Sequence, residues 1–329
     1  GIFQYVSEDS FLSEWNKADF FHRYFSSLLY PGGEVGVTIF FIIAGYFAYY
    51  KVSLRFSKLF SITHFYGLLI FVLILITKNL SIVQKYGGVK CIVTLLLIPS
   101  LSGEWWFITS YIVLSILLPA LLQFVRSNSR KQDIIVIAIF WVLYQCNPFS
   151  VLQILLRGLF FLFIGIFIRK YNIKIKRRIT IPLIIVFWIV AGSIIFCKNL
   201  NYFNESSIST YINYFCMIVH SGFCTPIIST MMFLLFSNLN VRPSTTINLI
   251  ASTTFGIYLL HENTFMRNLI WTDVFHVVSV FTSSFFLLHA FICSTLIFIT
   301  CMSIDFIRIK FCFPFIQIVK GIVTKYFKD

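Results

Sequence analysis

The sequence predicts an all-α fold, a polytopic integral membrane helical bundle, and three observations carry that expectation. Of 329 residues, 58% are hydrophobic and only 12% charged, against about 45–50% and about 25% in soluble domains. The apolar residues gather into runs long enough to cross a bilayer. The loops between those runs alternate in charge. Forty Phe and sixteen Tyr suit lipid-facing surfaces with aromatic residues at the interfaces.

A spanning helix needs about 20 mostly apolar residues, with a range of about 17–25. Reading runs between polar breaks gives about nine spans, at 35–50, 59–77, 105–125, 133–147, 151–168, 180–198, 221–239, 247–262 and 278–302. The stretch 90–99 (KCIVTLLLIP) is too short to cross and is expected to be re-entrant or interfacial. Residues 11–29 place Phe20, Phe21, Tyr24, Phe25, Leu28 and Leu29 at helical spacing. That pattern predicts an amphipathic helix on the outer surface rather than a crossing one.

The charges order these elements. Lys51, Arg55 and Lys58 follow the first span and Arg126, Arg130 and Lys131 the third. Arg169, Lys170, Lys174, Lys176, Arg177 and Arg178 follow the fifth, Arg242 the seventh, and Arg308 and Lys310 the ninth. Every second loop is basic, as expected if those loops are cytoplasmic. The other loops hold Glu8, Asp9, Glu14, Asp19, Glu34, Glu104, Glu205, Glu262 and Asp273. The net charge of +14 therefore reflects topology, and no nucleic-acid partner is implied. Three segments follow: an extracytoplasmic 1–34, a transmembrane domain over 35–310 and a basic cytoplasmic tail over 311–329. Membrane lipids are the obligatory partners.

Ionisable residues within spans are candidates for function because the bilayer makes them costly. Arg157, in VLQILLRGLFF, reads as a partner for Glu34, Glu104 or Glu262, as a clamp on an anionic or carbonyl group, or as a side chain snorkelling to the interface. His289 reads as an inter-helix hydrogen-bonding residue, His64 and His220 as residues near span ends, and His22 as a solvated one. His261 and Glu262 close the run Phe255–Leu260 at the outer end of a helix, where a His could relay a proton or bind an acceptor hydroxyl. The basic stretch from Lys51 to Lys58 could hold phosphates or simply anchor the loop. The eight Cys form no CxxC pair and read as buried small hydrophobes, with no metal expected. P-loop, HExxH and GxSxG patterns are absent from the sequence.

Several of these segments resemble, in order, the membrane-bound acyltransferase family 3. Gly36-Val37-Thr38-Ile39-Phe40-Phe41-Ile42-Ile43-Ala44-Gly45-Tyr46 is similar to that family's GVxxFFxxSG helix, with Arg55 and Lys58 where its basic motif follows. Trp105-Trp106-Phe107, with Tyr111 and Pro119, resembles its WF…Y…P helix. Gly158 to Gly165 resembles its FFxxG span and Phe255 to His261 its FGIYLxH segment. Thr38 replaces a common Asp, Ala44 a Ser and Lys58 an Arg.

The resemblance implies O-acyl transfer, commonly of acetyl, from acyl-CoA (acetyl-CoA) to a hydroxyl of a cell-surface polysaccharide or lipid-linked sugar. It implies a multi-pass protein of the inner or plasma membrane of a bacterium. Arg55 and Lys58 would hold the CoA phosphates, and Gly45, Tyr46, Trp106 and His261 would line the cavity. The family's catalytic His stands on a helix preceding this one, expected ahead of Gly1 as a tenth span, so the base itself is unassigned and Arg157, His261 and Glu262 are supporting candidates. A transporter or flippase of glycans is the competing reading, although no internal repeat of the kind common in transporters is visible.

Overall fold

The computed structural model describes residues 14–50, 56–77, 87–100, 105–146, 150–201 and 207–312. Every regular element among them is helical: α1 (Phe20–Leu29), α2 (Pro31–Ala48), α3 (Phe56–Ile76), α4 (Gly88–Ile92), α5 (Trp106–Ser127), α6 (Arg130–Cys146), α7 (Ser150–Lys170), α8 (Arg177–Asn201), α9 (Ser207–Met217), α10 (Thr225–Ser237), α11 (Thr245–His261), α12 (Thr264–Asn268), α13 (Val277–Val280) and α14 (Phe286–Ile307). Four π-helical turns, Val93–Leu97, Ile218–Cys224, Leu269–Val274 and Arg308–Cys312, extend α4, α9, α12 and α14. The protein is an all-α polytopic membrane bundle.

Among the described residues seven helical runs are long and apolar enough to cross a membrane: Phe20–Ala48, Lys58–Ile76, Trp106–Ser127, Leu152–Lys170, Arg177–Leu200, Ile208–Ser237 and Phe286–Lys310. The other two expected spans are the helices α6 and α11, each 17 residues long, at the short end of what a bilayer accepts. The burial pattern suits lipid: Phe47, Ile76 and Phe291 are two-thirds or more exposed while Thr38, Ser229 and His220 are fully buried. A soluble protein rarely shows apolar residues outside over so much of its length.

Three boundaries differ from expectation, each for a local reason. The expected surface helix does not stop before the first span. Tyr30 keeps right-handed helical dihedrals and Pro31 takes the first position of α2, so α1 runs on into one 29-residue stretch. The junction is a tightened turn, with the Tyr30 N–H donating to the Ser27 carbonyl at 3.3 Å, and Pro31 is accepted because the first position of α2 requires no main-chain donor. The seventh span begins near Ile208 rather than at 221. The last begins at Phe286 rather than at 278, because α13 ends at Val280 and the chain turns over 281–285, with the Ser283 N–H closing on the Val280 carbonyl and the Phe286 N–H on the Ser283 carbonyl.

The chain divides into two compact units. One comprises 1–57 and 106–240, the other 58–105 and 241–329. In the first, α2 packs against α7 and α10, α7 against α6 and α5, and α8 against α1, α9 and α10. Glycines set the closest approach: a Cβ on Gly45 would lie 2.0 Å from the Leu162 carbonyl oxygen, and one on Gly165 2.1 Å from that of Ile42. Small residues allowing backbone contact are the usual device of helix packing in lipid. The α1 helix is held on α8 by the Trp188 Nε1–H donating to the Leu28 carbonyl (2.9 Å) and by the Tyr24 and Ser193 hydroxyls at 3.0 Å. In the second unit α11 packs on α14, and Gly67 of α3 lies against the Leu95 carbonyl, 1.9 Å from where its Cβ would stand.

Candidate functional site

The first unit carries two polar stations on one pair of helices. Glu34 on α2 meets Arg157 on α7 with Oε1 and Nη2 2.6 Å apart. Farther along the same helices the Arg169 Nη1–H donates to the Tyr46 hydroxyl at 2.7 Å. Both pairs are separated by twelve residues on each helix, so α2 and α7 run parallel and the stations lie about 18 Å apart at 1.5 Å per residue.

At the first station His220, wholly buried, places Nδ1 3.2 Å from Glu34 Oε2. The Ser221 hydroxyl donates to the same oxygen at 3.3 Å, and the Tyr30 ring stands edge-on to the imidazole at 5.6 Å. Arg157 keeps Glu34 an acceptor, so Nδ1 is assigned the hydrogen and Nε2 the lone pair. Among the described residues, His220 Nε2, Arg157 Nε and Gln145 Nε2 are buried and have no hydrogen-bond partner. Gln145 abuts Gly222, whose Cβ would lie 2.3 Å from the amide nitrogen. The Trp141 Nε1–H donates to the Gly222 carbonyl at 2.6 Å, fixing this turn against α6. His220, Ser221 and Gly222 all belong to the π-helical turn Ile218–Cys224, a feature frequent at functional sites.

At the second station the Arg169 guanidinium lies over the rings of Tyr46 and Tyr50, at 4.7 and 4.2 Å. Among the described residues it has no ion-pair partner, and its Nε has no hydrogen-bond partner. The Arg126 Nη2–H donates to the Tyr49 carbonyl (3.2 Å), where the helix dipole favours a cation. Beside them Lys170 Nζ donates to Asp133 Oδ2 and to the Val125 and Asn128 carbonyls, each at 2.7 Å. Tyr171, just past α7, donates to the same Asp133 oxygen at 2.8 Å. Local desolvation, and then that bond, push its phenol pKa up.

The second unit holds a different cluster. The Tyr66 hydroxyl donates to Asp305 Oδ1, and Arg308 reaches both carboxylate oxygens, Nε to Oδ1 at 2.7 Å and Nη2 to Oδ2 at 3.2 Å. Gly256 makes room for it, since a Cβ there would stand 2.0 Å from Asp305 Oδ1. The Trp105 Nε1–H donates to the Leu259 carbonyl at 3.0 Å, holding Trp105 against α11.

A family profile described as an acyltransferase domain matches residues 6–306. The chain belongs to the acyltransferase 3 family. It is, at that level, a multi-pass membrane acyltransferase. No curated protein and no solved structure matches the chain.

In this acyltransferase, Arg157 takes Glu34 among its three candidate partners, while Glu104 lies outside the described residues. Tyr46 meets Arg169, whereas Gly45 is buried against backbone and serves packing. Arg55 lies outside the described residues; Lys58 is exposed at the start of its run, and Trp106 is half-buried at the start of α5. His261 Nε2 stands 3.6 Å from Glu262 Oε1, and Arg267 Nη1 3.5 Å from Glu262 Oε2. His261 Nδ1 reaches back to the Ile257 carbonyl at 2.7 Å. His289 contacts Cys293 one turn along its own helix, at 3.4 Å, rather than another helix.

Two histidines differ from expectation. His220 is not at a span end, because α9, the π turn and α10 form one continuous run that carries it into the interior. His22 is not freely solvated: its side chain is 12% exposed and pairs with Asp19 at 2.6 Å. The His22 main-chain N–H, and then its ring, hold the Asp19 carboxyl below the usual carboxylate range. Asp133 and Asp305 were missed altogether, although acids within apolar runs, followed at Asp305-x-x-Arg308 by a cation one turn on, were a visible signal.

Proposed function

We propose that the chain is a membrane O-acyltransferase that moves an acyl group, acetyl in the simplest case, from acyl-CoA to a hydroxyl of a cell-surface polysaccharide or lipid-linked sugar. The family match over residues 6–306 supports acyl transfer. The observation that carries the finer reading is the pair of polar stations on α2 and α7, one built on Arg169, which has no ion-pair partner among the described residues, the other a buried carboxylate–histidine–arginine cluster.

The Arg169 station lies at the end of the helices that the loop charges assign to the cytoplasm, where acyl-CoA is made. Arg169 and Arg126 supply cations for the phosphates of the donor, and the resemblance to the family assigns the same role to Arg55 and Lys58. The Tyr46 and Tyr50 rings hold the guanidinium in place. The acceptor oxygen attacks the thioester carbonyl, the C–S bond breaks, and the hydroxyl proton ends on the CoA sulfur. Donors held toward the carbonyl oxygen would stabilise the tetrahedral intermediate. The membrane would be the inner or plasma membrane of a bacterium.

The test is transfer of radiolabel from [14C]acetyl-CoA to the lipid-linked and polysaccharide fractions by membranes carrying the full-length protein. The expected product is an alkali-labile ester, absent without the protein. Arg55→Ala and Arg169→Ala are expected to raise the KM for acetyl-CoA. Unlabelled glycan crossing the bilayer with no label transferred would replace this reading by a flippase.

A further inference from the structure

We propose that the Glu34–Arg157–His220 cluster is a recognition site for a hydroxyl group of the acceptor, with His220 Nε2 accepting its hydrogen and the N–H groups of Arg157 Nε and Gln145 Nε2 donating to its oxygen. The proposal deepens the O-acyltransfer reading and rests on it. Three buried polar atoms without partners are the observation behind it. A buried polar group left unpaired costs about 1–3 kcal/mol, and such groups are a small minority in native structures. Here Arg157 and His220 meet at one carboxylate, and Gln145 lies against the π-helical turn that carries His220.

Their chemistry is complementary to one functional group. Glu34 accepts from Nδ1 of His220, so the free Nε2 offers a lone pair. Arg157 spends Nη2 on Glu34 and keeps Nε–H free. Gln145 adds a second free donor from α6. A hydroxyl donates once and accepts twice, and fits this set. An ammonium could donate to His220 but would face the Arg157 charge. A carboxylate could accept from Arg157 but would face Glu34 and the His220 lone pair. The site therefore favours alcohol acceptors over amine or acid ones, and O-acylation over N-acylation. Two half-buried aromatic residues nearby, Tyr30 beside the imidazole and Trp141 on the turn, suit the apolar faces of a sugar ring. Unlike this cluster, the Asp305 site has, among the described residues, no buried side-chain atom of Asp305, Arg308 or Tyr66 without a partner.

The full-length protein in membranes is assayed with [14C]acetyl-CoA and neutral monosaccharides as acceptors, with glucosamine as the amine probe. His220→Asn keeps an N–H toward Glu34 and removes only the Nε2 position. It is expected to lower kcat/KM for the sugar hydroxyl by about 10–100-fold while the KM for acetyl-CoA stays within about twofold, the penalty typical of losing a hydrogen bond to a substrate hydroxyl. Arg157→Lys keeps the charge on Glu34, removes Nε and is expected to act in the same direction. Gln145→Leu decides the matter should the other variants fail to accumulate. If Gln145 were merely structural, removing an unpartnered amide would leave transfer unchanged and the fold as stable or more so; a several-fold loss against the acceptor alone supports the site. An unchanged acceptor kcat/KM in folded His220→Asn or Gln145→Leu overturns the proposal and leaves the cluster to ordered water. Preferential acetylation of the glucosamine nitrogen also overturns it. A wild-type protein that moves no label from acetyl-CoA to any acceptor overturns the O-acyltransferase reading itself.

Discussion

The two buried carboxylate–arginine clusters look alike in composition and differ in completeness. Asp305 is wholly buried and its two oxygens are taken by Arg308 and Tyr66, all on helices of one unit. Glu34 is likewise held by Arg157, His220 and Ser221, yet two of those partners keep an atom with nothing to bond among the described residues. A closed network adds rigidity and an incomplete one has capacity left over. The same ion-pair chemistry thus makes a staple in one unit and a candidate site in the other.

The largest effect should separate them by stability. Asp305→Ala would strand a buried arginine, and a loss of about 3–5 kcal/mol is expected, read as lower folded yield and an earlier thermal transition in detergent. Replacing the set together, Tyr66→Phe with Asp305→Leu and Arg308→Met, should recover most of it, because a buried pair exchanged for packed apolar groups is often neutral. The parallel exchange, Glu34→Leu with Arg157→Met and His220→Leu, should keep the fold and abolish transfer to the acceptor. If the first exchange also abolished transfer, the distinction between staple and site would collapse.

Glycine substitutions sharpen the comparison at intermediate size. Gly256→Ala drives a methyl into Asp305 and Tyr66, and Gly45→Ala drives one into the Leu162 carbonyl; each should cost about 1–3 kcal/mol in thermal unfolding. Gly33→Ala meets nothing within 4 Å and should stay within about 0.5 kcal/mol. The smallest effect is expected from Tyr46→Phe, which removes one hydrogen bond from Arg169 worth about 1 kcal/mol. It should appear as a severalfold rise in the KM for acetyl-CoA with an unchanged melting temperature.

Much of the architecture was legible before any coordinates. Helices lie within all nine expected spans, and seven of them belong to runs long and apolar enough to cross a membrane, because a bilayer demands apolar runs that show themselves in composition. The basic loops also foretold direction: α2 and α7, the first and fifth spans, run parallel, as alternation requires. Arg157 stood out as an expensive residue and is indeed paired. Less legible were His220 and the Asp305 cluster. His220 was assigned to a span end because the polar residues of Ser207–Tyr214 look like loop, whereas that stretch is helical and continuous with α10. Asp305 drew no reading from the sequence, because its partner Tyr66 lies 239 residues away.

The sequence by itself determined that this is a helical membrane protein, where its helices lie and which family motifs they carry, since those properties depend on residue type and local spacing. Only the tertiary structure decided which polar residue answers which. It chose Glu34 for Arg157, turned His220 inward on a π-helical turn, and left His220 Nε2, Arg157 Nε and Gln145 Nε2 without a partner among the described residues. The physical reason is that hydrogen bonds act over about 3 Å between chemically interchangeable partners, so their choice is fixed by how the helices pack.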